Sequence, residues 1–224
     1  MKHIFSRNPL MKGHVSCELP PKEIHIWVVD MHSRSHFFNS LDRDNSLRPS
    51  QRYLCFLLSC YLNIPAEYLH IQKTECGKPM LGSHPEISFS LAHSGELLVL
   101  AFSRHLVGVD LEKKRSVRAM AIAKKFFSSH EIEFLKQSPE DHFFYLWTAK
   151  EAALKADGCG LARGLRQAIT VIEENRIQGI YLKKRLMRLI PWQLDDHFIG
   201  SLASFVSPLL IRWYDLRGTS NINR

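Results

Sequence analysis

An α+β fold is predicted for this chain of 224 residues. Strand-like and helix-like segments are mixed without the strict β-α alternation of a doubly wound sheet. Branched and aromatic runs that alternate along the chain stand towards both ends, as in EIHIWVVD at 23–30. Between them, 118–157 carries helical spacing and helix-start signals.

Glu23–Asp30 reads as a strand on that alternation. From Pro49 to Leu62 apolar residues recur at helical spacing, and Asn63 with Pro65 closes the helix. A loop holding Gly77-Lys78-Pro79 leads to strands at Glu86–Leu91 and Leu97–Ser103, joined around Ser94-Gly95. Val107–Leu111 is a short strand that ends in charge. Arg118–Phe127 is Ala-rich, and Ser128 with Glu131 has the pattern of a capping box. Ser138-Pro139-Glu140-Asp141 combines an N-cap, a first-turn proline and two acids favoured by the helix dipole. That helix is expected to run to Asp157 and stop at Gly158, which suits the left-handed position after a helix. Strands return at Ala168–Glu173, Ile177–Leu182, Phe198–Val206 and Leu210–Leu216. The Arg104-His105 turn is the expected boundary between an N-terminal half, 1–104, and a C-terminal half, 105–224.

The chain is 45% hydrophobic, enough for a substantial core. Its cysteines (Cys17, Cys55, Cys60, Cys76, Cys159) are odd in number and never spaced C-x-x-C, which fits a reducing cytoplasm better than a disulfide framework or zinc ribbon. The first residues lack the apolar core of a secretory signal, and no apolar stretch is long enough to span a bilayer. Thirty Lys and Arg against 22 Asp and Glu leave +8. Charge alone suits an anionic ligand, an acidic protein or nucleic acid. No basic run exceeds the length of Lys183-Lys184-Arg185 and no aromatic-studded RNA motif is present, so no nucleic-acid partner is expected.

Three clusters carry chemistry. In Gly108-Val109-Asp110-Leu111-Glu112, strand alternation puts Asp110 and Glu112 on one face. Two carboxylates side by side repel unless a cation lies between them, and Mg²⁺ prefers one or two protein carboxylates with phosphate oxygens and water. The same pattern also fits two solvent-facing acids at a strand end. In Trp147-Thr148-Ala149-Lys150-Glu151-Ala152-Ala153-Leu154-Lys155, helical spacing puts Trp147, Glu151 and Lys155 on one face. Glu151 could add a third carboxylate and Lys155 could meet a phosphate, with Lys150 reaching the ligand from about 100° round the helix. An ordinary amphipathic helix has the same spacing. In Phe89-Ser90-Leu91-Ala92-His93-Ser94-Gly95, a histidine and small residues at a strand end can face an anion, or be simply a surface histidine.

In order and spacing, Gly77-Lys78-Pro79, His93-Ser94-Gly95, Gly108 to Glu112 and Trp147 to Lys155 resemble the signature series of 4′-phosphopantetheinyl transferases. The resemblance covers roughly residues 46–160, and the length is that of the larger, monomeric, surfactin-synthetase-activating type. It implies two similar α+β halves related by a pseudo-twofold axis, with the ligand cleft between them. It also implies transfer of the phosphopantetheine arm of coenzyme A to a serine of an apo acyl or peptidyl carrier protein, with Mg²⁺ as cofactor. A non-catalytic coenzyme A or nucleotide-binding protein is the rival reading.

By the resemblance, Asp110, Glu112 and Glu151 hold Mg²⁺, and Lys150, Lys155 and His93 face the pyrophosphate. Lys78 sits by the adenine nucleotide, and Arg48 or Arg52 meets the 3′-phosphate. Glu151 and Lys155 are the catalytic candidates, Glu151 as base through a water. One departure stands out: Ala92 occupies a place the family gives to serine, so a contact to phosphate is expected to be lost there.

Overall fold

Side-chain alternation along each strand builds two core layers at once. In β2 (Glu23–Asp30), Ile24, Ile26 and Val28 enter one apolar cluster while Trp27 and Val29 enter another. β6 (Leu97–Ser103), seven buried residues long, divides the same way: Leu97, Val99 and Ala101 to one side, Leu98, Leu100 and Phe102 to the other. The computed structural model describes residues 2–6, 18–32, 47–158, 164–208 and 210–217.

Two five-stranded sheets result. The first runs β1 (Lys2–Ser6), β12 (Leu210–Asp215), β2, β6, β5 (Ser88–Ser94). Its β1–β12 and β12–β2 pairs are parallel and the other two antiparallel. The second, wholly antiparallel, runs β7 (Val107–Lys113), β11 (Phe198–Ser204), β10 (Arg185–Leu194), β9 (Arg176–Leu182), β8 (Ile169–Glu173). A small hairpin, β3 (Ile71–Lys73) with β4 (Pro79–Leu81), carries the Gly77-Lys78 loop. The sheets face each other across Ile26, Val99, Val109, Leu202 and Trp213. Helix α1 (Pro49–Leu62) covers the outer face of the first sheet. α2 (Ala119–Phe126), α3 (Ser129–Gln137) and α4 (Pro139–Asp157) cover the second. The mixed α+β class expected from the sequence is thus the class observed.

The sheets are joined at β5 and β7 by serine hydroxyls in place of a backbone ladder. Ser88, Ser90 and Ser94 accept the N–H groups of Val107, Val109 and Lys113 through Oγ at 3.3, 3.1 and 2.9 Å. A hydrogen-bond chain fixes α1 to the first sheet. Trp27 Nε1 donates to Tyr61 Oη at 2.8 Å, and Tyr61 donates to His25 Nδ1 at 2.8 Å. His25 Nε2 donates to Glu23 Oε2, which Arg212 also holds. Burial pushes the His25 pKa down, which keeps the ring neutral and able to accept from Tyr61.

Helix limits agree closely with the expected ones. α1 begins at Pro49 and ends before Asn63 in the left-handed region (φ 54°), and α4 begins at Pro139 and ends at Gly158 (φ 81°). β5 reaches Ser94 where the expected strand stopped at Leu91, so His93 lies on the strand itself. β10 was not expected at all, because Arg185, Arg188 and Pro191 break its apolar pattern. It pairs with β9 only from Arg185 to Arg188, so Pro191 lies where the strand has β11 as its one neighbour, and a residue without N–H is tolerated there.

α4 crosses β7 at Gly108, where a Cβ would stand 2.0 Å from the Ala152 carbonyl oxygen and 2.4 Å from the Ala156 nitrogen. Both obstacles are backbone, so neither can swing aside. Gly108→Ala is expected to lower the unfolding free energy by about 1–3 kcal/mol through this overpacking. A urea titration reads it, and an unchanged midpoint would mean that the close approach is not needed.

Candidate functional site at the β7–α4 crossing

The close crossing at Gly108 decides what β7 presents to α4. Val107, Val109 and Leu111 point between the sheets, so Gly108 and Asp110 point towards the helix. On α4, Glu151 and Lys155 are one turn apart. Lys155 Nζ donates to Asp110 Oδ1 at 2.6 Å, and Asp110 is only 4% exposed. Its second oxygen, Oδ2, is buried with no hydrogen-bond partner among the described residues. Glu112, at the mouth of the strand, accepts Arg115 Nη1 at 2.6 Å and Ser94 Oγ at 3.4 Å.

Burial raises the Asp110 pKa, the Lys155 ammonium opposes the rise, and the Glu112 charge adds to it. Burial raises the Glu151 pKa too, helped by the Asp110 charge and opposed by Lys155. Asp110 and Glu151 are therefore held where they resist ionising together. Asp110, Glu112 and Glu151, all oxygen donors, suit a small divalent cation, and the orphaned Asp110 Oδ2 is an oxygen that such an ion could engage. Among the described residues no group of three or more His, Cys, Asp and Glu side chains is gathered tightly enough to hold a metal ion. Instead Lys155 and Arg115 each engage one acid.

Lys150 is not brought to this cluster. The sequence reading had it approach from the flank of the helix, but that flank is covered by α3 and by the segment before β8. Its ammonium is fully buried, 2.9 Å from Glu131 Oε1, and donates to Leu165 O at 3.0 Å and to Ala168 O. Glu131 also accepts Thr170 N and Oγ1 at 3.0 and 2.7 Å, and its other oxygen accepts Ser128 N at 2.7 Å to complete the capping box. Both charges have hydrogen-bonded partners, the condition under which buried ions persist.

The other sequence candidates are spread around the crossing. His93 is exposed on β5, opposite Leu98 of β6, with no hydrogen-bond partner among the described residues. Lys78 Nζ donates to Ala156 O near the end of α4 at 2.7 Å, and burial lowers its pKa to about 8. Lys78, Ser90, Lys155 and Gly158 line a cavity of about 350 Å³. A second of about 480 Å³ shares Lys78 and Gly158 as walls and extends to Met80 and Leu106. Arg48 and Arg52 stand on the first turn of α1, in the layer opposite α4, and Arg52 Nε donates to Leu47 O at 3.0 Å. Ala92 is buried between the sheets, on the face of β5 that carries Ser88, Ser90 and Ser94. A serine there would turn towards β7, so the expected lost phosphate contact does not follow from this geometry.

Sequence reasoning missed Gly108, Glu131 and Arg115 as parts of this arrangement. The alternate serines of SFSLAHS were the visible sign of the β5–β7 seam, but Glu131 showed only its capping role.

A buried Asp110 and a partly exposed Glu112 at a strand end, with a third acid and a lysine on the crossing helix, make an arrangement whose chemistry suits a divalent cation together with a phosphorylated ligand. Residues 106–202 match the family model of the 4′-phosphopantetheinyl transferase superfamily. It is similar to 4′-phosphopantetheinyl transferase gsp of Aneurinibacillus migulanus, 38% identical over 65% of this chain and 61% of the relative. To Sfp of Bacillus subtilis (strain 168) it is 37% identical over 39% of this chain and 41% of the relative. To HetI of Nostoc it is 32% identical over 66% of this chain and 65% of the relative. The chain spans about half the length of the first curated relatives it matches.

Two predictions follow the buried groups. Lys150→Met leaves Glu131 charged and buried, and is expected to cost about 3–5 kcal/mol in denaturant unfolding; a loss under 1 kcal/mol, the range of a surface pair, would place Lys150 outside the core. Burial holds the folded pKa of Lys78 at about 8, below the ordinary lysine value of 10.5. Between those values the unfolded chain binds more protons, so this group makes stability rise as pH climbs from about 8 to 10.5. Melting temperatures of wild type and Lys78→Met across that window should therefore diverge in slope, the wild type gaining more. Parallel curves would mean that Lys78 is not desolvated.

Proposed function

We propose that this chain is a 4′-phosphopantetheinyl transferase: it moves the phosphopantetheine arm of coenzyme A onto a serine of an apo acyl or peptidyl carrier protein and releases adenosine 3′,5′-bisphosphate. The observation that carries the reading is the Asp110–Lys155 pair at 2.6 Å beside Glu151, inside the segment that matches the superfamily. The printed names of the relatives, all 4′-phosphopantetheinyl transferases, support it.

The serine Oγ forms a bond to the β-phosphorus as the bond to the bridging pyrophosphate oxygen breaks. Asp110, Glu112 and Glu151 would hold Mg²⁺, which when bound neutralises pyrophosphate charge and fixes its orientation. Lys155, already at the acid cluster, is placed to offset charge that builds on the leaving phosphate. His93 and Lys78 extend the cationic lining towards the rest of coenzyme A, with Arg48 or Arg52 as candidates for its 3′-phosphate. Lys150 is left out of this set, since its ammonium is enclosed by Glu131 and two carbonyls. Glu151, whose carboxyl holds a proton more readily than an exposed glutamate, accepts the serine proton through a water.

In this reading the two sheets with their helices act as pseudo-twofold halves around the ligand cleft. Residues 1–104, whose sheet is completed by β12 from the other half, supply the adenine-nucleotide side and 105–224 the acid cluster. The enzyme acts as a monomer in the cytoplasm, with no nucleic-acid partner. No helix among the described residues is long and apolar enough to cross a membrane, and Cys55, Cys60 and Cys76 are free thiols. The net charge of +8 favours an acidic partner, with an attraction that weakens in salt.

The test is the intact mass of apo carrier proteins of the fatty-acid, peptidyl and polyketide kinds after incubation with the enzyme, coenzyme A and Mg²⁺. The reading expects a gain of one phosphopantetheine arm that disappears with EDTA and with Asp110→Ala. Coenzyme A binding with no mass gain on any carrier would leave the non-catalytic reading in its place. Full turnover by Glu151→Gln with unchanged Mg²⁺ dependence would remove Glu151 from both of its roles.

A further inference from the structure

β7 ends at Lys113, and the chain then turns so that Arg115 folds back on the acid three residues before it. Arg115 Nη1 donates to Glu112 Oε2 at 2.6 Å and to Lys113 O at 3.1 Å, and the guanidinium lies 5.9 Å from the centre of the Phe144 ring. The two cations at the acid cluster are unlike. Lys155 is part of a 19-residue helix, with its side chain 27% exposed. Arg115 lies outside helix and strand with its side chain 57% exposed, while the carboxylate it holds is 19% exposed. Glu151 forms no ion pair among the described residues. Arg115 also lines a groove of about 660 Å³ with Arg118, Met120 and Phe144, so its side chain has room to leave Glu112.

We propose that Arg115 is an exchangeable counter-ion: it neutralises Glu112 while no divalent cation is bound, and gives up that carboxylate when one binds. The inference rests on the reading that Asp110, Glu112 and Glu151 hold a divalent cation. Two positive charges on one carboxylate oxygen repel each other, so cation binding and the Arg115–Glu112 pair compete. An exposed arginine can yield because its release into water costs little, whereas the lysine anchored on α4 stays by Asp110. Arg115 therefore sets how tightly the site takes its cation, and it spares the folded protein an unneutralised Glu112 when the cation is absent.

The experiment is calorimetric titration of the full chain with Mg²⁺ at low ionic strength, for wild type, Arg115→Gln and Arg118→Gln. Arg118 is exposed, lies on the same connection and forms no ion pair with Glu112, so its variant measures the general effect of losing one positive charge. Arg115→Gln is expected to bind Mg²⁺ about two- to five-fold tighter than wild type, the weight of one exposed ion pair. Arg118→Gln is expected to change affinity by a clearly smaller factor. Equal or weaker binding by Arg115→Gln, or a gain matched by Arg118→Gln, overturns the exchange. No Mg²⁺ binding by any of the three, with each folded by circular dichroism, would instead remove the cation site itself and the exchange with it.

Discussion

Everything at the candidate site depends on how near α4 comes to β7. The helix backbone lies where the β-carbon of any residue other than glycine at 108 would stand. That approach brings Lys155 within 2.6 Å of Asp110 and leaves Asp110 almost without solvent. Burial in turn pushes the Asp110 and Glu151 pKa values up. Sequence, packing and electrostatics are thus three views of one contact. A small residue permits it, and an alanine-rich helix face (Ala149, Ala152, Ala153, Ala156) completes it.

Distance alone does not aim a helix; its rotation about its own axis must also be set. The buried Lys150–Glu131 pair does this from the opposite flank. Lys150 and Glu151 are neighbours in sequence, so anchoring one ammonium to Glu131, Leu165 and Ala168 fixes where the next carboxylate points. Thr148 adds a second tie, 2.9 Å from Ser201 of β11. Such polar anchors contribute little net stability compared with apolar packing, but they reject rotated alternatives in which a charge would lie unpaired.

Local signals were legible in the sequence where they are local in physics. Pro49, Pro139 and Gly158 mark helix ends through backbone geometry that no distant residue alters, and those ends agree with the structure. Strand alternation and helical spacing put Asp110, Glu151 and Lys155 on faces that do meet. Lys150 shows the limit of the same reasoning. The helical spacing gives its direction, but whether that direction opens on a ligand or on Glu131 depends on how α3 folds back. β10 was hidden because Pro191 and two arginines look like loop residues until the pairing is known to be one-sided. For β12 the strand was legible and its partners were not: nothing in Leu210–Asp215 indicates that it lies between β1 and β2.

That placement of β12 has a consequence for how the protein is made. A ribosome delivers β1, β2, β5 and β6 early, and β12 only after about 100 further residues. Until then β2 keeps one side open, and β1 lacks the strand it pairs with among the described residues, β12. An unpaired edge in a nascent chain is a place where a neighbouring chain can join. Of these strands, the one that completes the wall facing α1 is therefore made last, long after β1 and β2.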